Sequence, residues 1–419
     1  MPQHFYHAHQ IIQERCEGRL NCIRACPTQA IRLYNGKIFF HNELCIDCGV
    51  CINTCPENVY VPVISELDDF STFKYLIAVP SPVLYTQFGQ NIHPNTVRRA
   101  LKQIGFKEVV DLAKISDEVS YALLHHLKKS SSPKPLISSF CPSIVRFMQV
   151  NYPNLINLIS PLDVPRELTA KEAKKTCSEK LNLKEEEIGV IYITPCPAKI
   201  VSIKQPAEKE KSWFDGAIPI KEIYNLILPL IIEIQEKKQE VNDGDFHFGT
   251  GWAVMGHIVR DVGAERCLSV AGLDNVKTIL DDIENSKLRN IDFIEALACK
   301  QGCIGGAFCV ENPYVARSSS ILLERKYGSI KSIDKKKVLA NYDQGAYSLE
   351  RPILPRPTKS FNVDDIATSI KKTRQKDRMY MKLPHKDCAL CGAPTCEAFA
   401  RDCANGEIEV TECIFFRKS

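Results

Sequence analysis

The 419-residue sequence lacks a long apolar run. Its oiliest stretch, Leu226 to Ile234, is interrupted by Pro229 and Glu233 and falls far short of the ~20 apolar residues that a membrane span requires. It also lacks an excess of charge: 54 basic against 50 acidic side chains leave +4, which gives no electrostatic reason to expect nucleic acid or an anionic membrane as partner. Residues Met1 to Arg15 are polar, with no apolar core of an export signal, so a cytoplasmic location is expected. Low-complexity tracts are absent. Cysteine is what the chain has: 19 residues, too sparse for a small disulfide scaffold and gathered in tight groups. In a reducing compartment such thiols stay free, and grouped free thiols point to metal.

Cysteine position divides the chain. Seven lie between Cys16 and Cys55, five between Cys388 and Cys413, and seven from Cys141 to Cys309, which predicts a head (1–66), a body (67–370) and a tail (371–419), with the basic segment Lys371–Lys382 as connector. In the body, strand-like apolar runs at Tyr75–Val79, Lys107–Asp111, Leu136–Ser139, Ile188–Ile193 and Ile291–Leu297 alternate with helical patterns. One helix is expected to be capped by Asn95, to bury Val97, Leu101 and Ile104, and to stop at Gly105. The pattern is that of an α/β domain with largely parallel sheet, where ligands bind beyond the carboxyl ends of strands. Charged stretches at Glu179–Glu187, Glu208–Lys211 and Glu233–Glu240 read as solvated faces.

In the head, Cys45, Cys48, Cys51, Cys55 and Pro56 spell the C-x2-C-x2-C-x3-C-P run of bacterial ferredoxins, whose fourth thiolate serves the other cluster of a pair. An imperfect copy precedes it: Cys16, Cys22, Cys26 and Pro27 keep the register, but Arg19 stands at the second ligand position. Crossed pairing gives Cys26, Cys45, Cys48 and Cys51 one four-iron cluster and leaves Cys16, Cys22 and Cys55 as three ligands for a second. Three thiolates suit a three-iron cluster, or a four-iron cluster with another ligand; His4, His7 and His9 are candidates, though histidines in a polar segment are more often surface residues.

The tail cysteines Cys388, Cys391, Cys396 and Cys413 have the spacing C-x2-C-x4-C-x16-C, with Gly392 and Pro394 supplying a turn. Four thiolates suit zinc or an iron–sulfur cluster. The spacing resembles the small iron–sulfur module found beside corrinoid proteins and in some hydrogenase-like proteins, which favours iron–sulfur. In the body, thiols follow three strands: Cys141 after Leu136, Cys196 after Ile193, and Cys299 with Cys303 after Ile291. Glycines around Cys303 fit a loop passing close to a bulky inorganic centre, and Lys199 offers a cation to an anionic ligand. Cys177, Cys267, Cys309 and Cys403 read as packing residues.

The segments Ser138-Ser139-Phe140-Cys141-Pro142, Thr194-Pro195-Cys196-Pro197-Ala198-Lys199 and Glu295-Ala296-Leu297-Ala298-Cys299-Lys300-Gln301-Gly302-Cys303-Ile304-Gly305-Gly306 resemble the three signatures of the iron-only (FeFe) hydrogenases. The likeness extends to Val79-Pro80-Ser81, Phe214-Asp215-Gly216 and Phe248-Gly249-Thr250-Gly251. It implies a catalytic domain of two lobes, each with a parallel sheet flanked by helices, behind an α+β two-cluster ferredoxin-like head and a small iron–sulfur tail. It further implies that Cys141, Cys196, Cys299 and Cys303 hold the cubane of an H-cluster, with Cys303 bridging to a diiron unit that carries carbon monoxide and cyanide. Lys199, with groups near Pro80 and Ser81, would hydrogen-bond cyanide.

The departures shape the expected function. Phe140 replaces the cysteine that shuttles protons in proficient members, and Thr194 and Leu297 replace two methionines beside the diiron unit. Asp163-Val164-Pro165 stands where the proton path has a serine segment, and Glu118 aligns loosely with one of its carboxylates. The third signature ends at Ala307 without the usual glycine run. Together with the tail motif, this resembles the sensory FeFe hydrogenases, which report hydrogen and process it slowly. With no sensor domain after Cys413, the resemblance implies a separate electron or signalling partner, ferredoxin among them, and hydrogenase maturation proteins. The competing expectations are an ordinary ferredoxin-linked hydrogenase with a modified proton path and a non-catalytic scaffold of cytosolic cluster assembly.

Overall fold

The computed structural model describes residues 5–129, 134–237, 249, 252–328, 333–356 and 366–416; His4, Glu240, Phe248, Thr250 and Gly251, named above, lie outside them. The chain divides into two compact units, one formed by Met1–Val63, Arg146–Pro153 and Pro355–Ser419, the other by Ile64–Val145 and Asn154–Leu354.

The first unit begins with β1 (His9–Ile11), α1 (Asn21–Ala25), β2 (Ile31–Tyr34), β3 (Lys37–Phe40), α2 (Val50–Thr54) and β4 (Tyr60–Pro62). β1 pairs antiparallel with β4, and β2 with β3. Both short helices start from a left-handed residue, Leu20 and Gly49, which turns the chain so that Cys22 and Cys51 lie in their first turns.

The second unit opens with β5 (Tyr75–Pro80), α3 (Pro94–Gln103), β6 (Glu108–Val109), α4 (Ala113–Lys129) and β7 (Leu136–Ile137). α5 (Pro142–Asn151) starts in this unit and ends in the other. Then come α6 (Pro165–Leu181), β8 (Ile188–Thr194), α7 (Pro197–Lys204), β9 (Gly216–Pro219), α8 (Ile220–Glu236), α9 (His257–Val262), β10 (Cys267–Ala271), α10 (Leu273–Glu284), β11 (Phe293–Leu297), α11 (Pro313–Tyr327) and α12 (Lys335–Asp343). Two parallel sheets result, with strand orders β6-β5-β8-β9 and β10-β11-β7. β8 is buried along its whole length, as a strand covered on both faces must be.

Local details differ from the sequence expectation in three places. His93, not Asn95, caps α3: Pro94 is preset for the first helical position, so the cap falls one residue earlier, and the His93 ring accepts from the Asn95 N–H. The oily segment from Leu226 runs straight through Pro229 as part of α8, because Pro229 is on the exposed side while Ile220, Ile223, Ile227, Ile231 and Ile234 form the buried stripe. Among the described residues no helix is long and apolar enough to cross a membrane. The basic connector is itself helical, the greater part of α13 (Ile366–Tyr380), which packs on α14 (Cys396–Ala404).

Head and tail share the first unit. The Leu33 N–H donates to the Gly392 carbonyl at 2.9 Å, and Arg24 donates to the Cys388 carbonyl at 2.9 Å. Gly392 has a φ of +86°, and a Cβ there would overlap the Leu33 carbonyl oxygen, so this turn closes on β2 only with glycine. Behind it, the wholly buried Arg32 guanidinium pairs with Asp402 of α14, whose Oδ2 also accepts from the Tyr34 hydroxyl at 2.5 Å.

Candidate metal centres

Four thiols from three loops meet in the second unit. Cys141 follows β7, Cys299 and Cys303 follow β11, and Cys196 follows β8 as the residue capping α7, with Pro197 in the first turn. Because β7 and β11 are hydrogen-bonded neighbours, Cys141 and Cys299 leave the same end of one sheet; Cys196 arrives from the other sheet. The Cys196 and Cys303 loops lock together through the Phe308 N–H, which donates to the Pro195 carbonyl at 2.9 Å. A Cβ on Gly306 would overlap that same carbonyl oxygen, so this glycine serves the approach of one loop to the other.

These sulfurs feel one another. Burial, then Cys303 and Cys141, push the Cys196 thiol up to about 11 against the pull of Lys199. Burial, then Cys196, Cys141 and Cys303, raise Cys299 well above the ordinary thiol range, and burial with Cys303 raises Cys141. Crowding buried thiols opposes ionisation until a cation neutralises them, so this donor set suits a metal centre. Lys199 is only 1% exposed, and its ammonium donates to the Cys303 sulfur at 3.2 Å. Burial works against its charge, but Cys303, Tyr192 and Cys196 outweigh it and hold the group above its ordinary value.

The remaining body residues singled out by sequence belong to the same unit. Pro80 ends β5 beside Ile193 of β8, and Ser81 donates its N–H to the Ile193 carbonyl at 3.0 Å. The Ser81 hydroxyl is fully buried and has no hydrogen-bond partner. Thr194 spends its hydroxyl on the Cys196 loop, donating to the Cys196 carbonyl at 3.1 Å, while Leu297 is a core residue. Phe140 is buried with its ring edge-on to Trp252 at 5.9 Å and the Lys199 ammonium 4.7 Å from its centroid. Asp163 pairs with the buried Lys209, and Glu118 accepts from the Tyr347 hydroxyl at 3.0 Å. Cys309, read from the sequence as a packing residue, packs on the core; its thiol also donates to the Cys303 carbonyl at 3.5 Å, and burial with Cys303 pushes it upward.

In the first unit, one cavity is lined by Cys26, Cys45, Cys48 and Cys51, and another by Cys16, Cys22 and Cys55. A third is lined by Cys388, Cys391, Cys396 and Cys413. The grouping in the head follows the crossed pairing. Burial, then Cys26, raise Cys48 to about 12, and burial with Cys413 and Cys388 raises Cys391 to about 11. Two histidines turn away from the role sketched for them. His7 and His9 both approach Asp47, at 3.1 and 3.7 Å, beside Cys45, and neither lines the cavity of the three-thiol group. Asp47 is a buried carboxylate, and the two imidazole hydrogen bonds outweigh its burial and hold it well below the usual range.

A family model described as the iron only hydrogenase large subunit, C-terminal domain, matches residues 74–257 and 255–307, more than half of the chain. The chain belongs to the iron-only hydrogenase family. A 4Fe-4S dicluster domain model matches residues 8–56 of this hydrogenase-like protein, and an Fe-S cluster model matches residues 383–415. The protein is 22% identical over 366 residues to the NADP-reducing hydrogenase subunit HndD of Solidesulfovibrio fructosivorans, covering 71% of this chain and 62% of that one. It is 25% identical over 387 residues to the periplasmic Fe hydrogenase large subunit of Nitratidesulfovibrio vulgaris, covering 78% and 91%. A shorter match, 29% over 133 residues, joins it to the cytosolic Fe-S cluster assembly factor nar1 of Aspergillus flavus, covering 28% and 24%. Its fold is that of a variant of the FeFe hydrogenase HydA1 from Chlamydomonas reinhardtii, with a TM-score of 0.52 at 15% identity, over 70% of this chain and 98% of that one.

The residues of this hydrogenase-like chain fit the family's H-cluster. Four converging thiols match a cubane, the buried ammonium beside Cys303 matches an anionic ligand, and the orphaned Ser81 hydroxyl is a donor in want of an acceptor.

Proposed function

We propose that the protein is a slow FeFe hydrogenase of sensory type, with Cys141, Cys196, Cys299 and Cys303 holding the H-cluster cubane and Cys303 bridging to the diiron unit. When bound, that group supplies the electron-poor metal site at which dihydrogen divides heterolytically. Lys199 is placed to hold a cyanide by an ammonium hydrogen bond, and Ser81 to hold another through its hydroxyl. Tyr192 and Phe140 enclose the ammonium and keep water from it.

The observation that carries the slow, reporting role is Phe140. Proton transfer by a positioned side chain is worth roughly 10²–10⁴-fold, and a benzyl ring wedged between Trp252 and Lys199 has no proton to give or lone pair to receive one. Hydrogen binding survives this loss; rapid turnover does not. The head and tail clusters carry electrons to or from a cytoplasmic partner, a ferredoxin or a signalling protein, and maturation proteins install the diiron unit. The Fe-S model over residues 383–415 supports iron–sulfur in the tail in preference to zinc.

The likeness to nar1 favours a second reading, a cluster-assembly scaffold. Ser81 weighs against it, because a scaffold without cyanide gives its unpaired hydroxyl nothing to bind; Lys199, which already donates to Cys303, fits either reading. Infrared spectroscopy after maturation with the diiron cofactor decides: carbonyl and cyanide bands are expected, and their absence refutes the hydrogenase reading. A high native rate of hydrogen evolution refutes the sensory one.

A further inference from the structure

The basic connector turns most of its charge to solvent, beside an apolar rim around the tail thiols. We propose that this face of the tail is the docking surface for an acidic protein that carries one electron at a time, exchanging it with the tail cluster and through that with the head; this rests on reading Cys388, Cys391, Cys396 and Cys413 as an iron–sulfur site.

α13 has two unlike sides. Met379 and Tyr380 pack into the tail core around Phe399. Lys371, Arg374 and Arg378, at i, i+3 and i+7, share the opposite side, and all three are exposed. None of them, nor Lys372 or Lys382, has an ion pair among the described residues. Several acids of the tail are engaged inside it: Asp377 and Glu397 on Lys376, Asp402 on Arg32, and Asp387 on the Cys396 N–H. Glu407, Glu409 and Glu412, counted as full negative charges, still do not balance these five cations and Lys386. Residues 371–390 hold seven Lys and Arg against two acids, whereas residues 5–63 of the head hold five of each, so an unbalanced positive face belongs to the tail alone within this pair.

Where the stripe ends, the surface turns apolar. Met381 is 78% exposed and Leu390 55%, and the exposed Ile414 and Phe415 line the cavity of the tail thiols with Leu383. The Lys386 ammonium lies 4.6 Å from the centroid of the Phe415 ring, which joins the charge to the apolar rim. Exposed apolar side chains gathered around one opening mark an interaction site, and a basic border selects an acidic partner. The thiols beneath the opening say what that partner does: a membrane or a nucleic acid has no use for a redox centre under its contact. Behind the thiols the way leads into the head, since Ala389 is buried with Ile23 in the cluster on which Cys16, Cys22 and Cys55 pack, and Arg24 holds the Cys388 carbonyl. At each encounter one electron passes, the carrier being oxidised as the tail cluster is reduced or the reverse, and no bond forms or breaks.

The test uses the full chain, loaded anaerobically with its iron–sulfur clusters and without a diiron unit, so its outcome does not depend on the hydrogenase reading. The probe is a reduced acidic 2Fe–2S ferredoxin, and stopped-flow absorbance gives the second-order rate of cluster reduction. Charge steering raises association by about 10–10³-fold, so moving from ~20 to ~300 mM salt is expected to slow the reaction about tenfold or more. Lys371→Glu/Arg374→Glu/Arg378→Glu is expected to slow it about tenfold at low salt with iron content unchanged, and to speed electron transfer from the reduced chain to basic cytochrome c. A variant that had merely lost its fold would not gain with the second carrier. Arg15→Glu with Lys37→Glu, at exposed positions of the head, is expected to leave both rates within about twofold. The proposal is overturned if the α13 variant matches the unmodified chain with both carriers, if the head variant causes the larger loss, or if the α13 variant abolishes binding to phosphatidylserine vesicles or duplex DNA while the ferredoxin rate stays unmoved. Cys391→Ser separates the two levels: if it costs no iron, the reading of the tail as a cluster site fails, and if it costs a cluster while the α13 variant changes neither rate, only the docking surface fails.

Discussion

Asp402→Asn tests whether one buried ion pair ties the tail to the head. The substitution keeps the shape of the side chain and removes its charge, leaving the Arg32 guanidinium, 0% exposed, without a counter-charge and the Tyr34 hydroxyl with a weaker acceptor. Removing one partner of a buried pair costs about 3–5 kcal/mol; because asparagine still presents one carbonyl oxygen, the lower end, about 3 kcal/mol, is expected. Both Trp213 and Trp252 belong to the other unit, so tryptophan fluorescence would miss the change. Hydrogen exchange read by mass spectrometry on peptides spanning Cys396–Ala404 reports it locally. If those amides exchange by opening α14 away from β2, about 3 kcal/mol translates into exchange roughly 10²-fold faster in the cluster-loaded variant. Replacing both partners, Arg32→Met with Asp402→Met, should bring the rate most of the way back, since an apolar pair of similar volume leaves no uncompensated charge. Exchange within threefold of the native rate in Asp402→Asn, or a double variant as fast as the single, would refute the reasoning.

Three other outcomes are expected. Phe140→Cys in the matured protein should raise hydrogen evolution by about 10² or more, measured against the unmodified protein with the same reductant, since it restores a titratable group at the site. Cys303→Ser should retain the head and tail clusters by iron content while losing the infrared bands of a diiron unit. Glu295 is buried and accepts from the Gly256 and Val259 N–H groups; burial outweighs those bonds and pushes its carboxyl up to about 7. A carboxyl raised in the folded state makes that state bind more protons than the unfolded chain, so stability is full below the unfolded value of 4.5 and falls by about 3 kcal/mol as pH rises through 7. Glu295→Gln should flatten that slope in denaturant melts between pH 5 and pH 8, relative to the unmodified protein.

The parts of this architecture written locally were legible. β7, β8 and β11 are apolar runs bounded by turn residues, which placed their thiols at strand ends, whereas the head and tail that cysteine spacing sets apart join in one unit. β9 and β10 escaped notice because Gly216 and Pro219 bound one and Ser269 interrupts the apolar run of the other. Long-range pairings left no local trace. Nothing near Arg32 announces that its partner is Asp402, and nothing near Asp47 announces that it collects His7 and His9. The same holds for the ion pair of Arg19, inside the first cysteine motif, with Glu57, just past the second. The split of the body into two sheets was legible through family likeness alone, since either sheet's strands have the same apolar character.

The interrupted make-up of the first unit sets an order of events during synthesis. Residues Ile64–Val145 and Asn154–Leu354 are synthesised before the last segment of the first unit, Pro355–Ser419, so the hydrogenase-like body can begin to collapse while the head still lacks a wall. Through that interval Arg32 has no counter-ion, because Asp402 comes 370 residues later. Cysteines of the head are therefore exposed to iron-delivery machinery for most of the time the ribosome is at work, and the arrival of α14 and the Gly392 turn closes one side of them. A chain stopped short of Cys388 would be expected to carry a loadable but unsealed head.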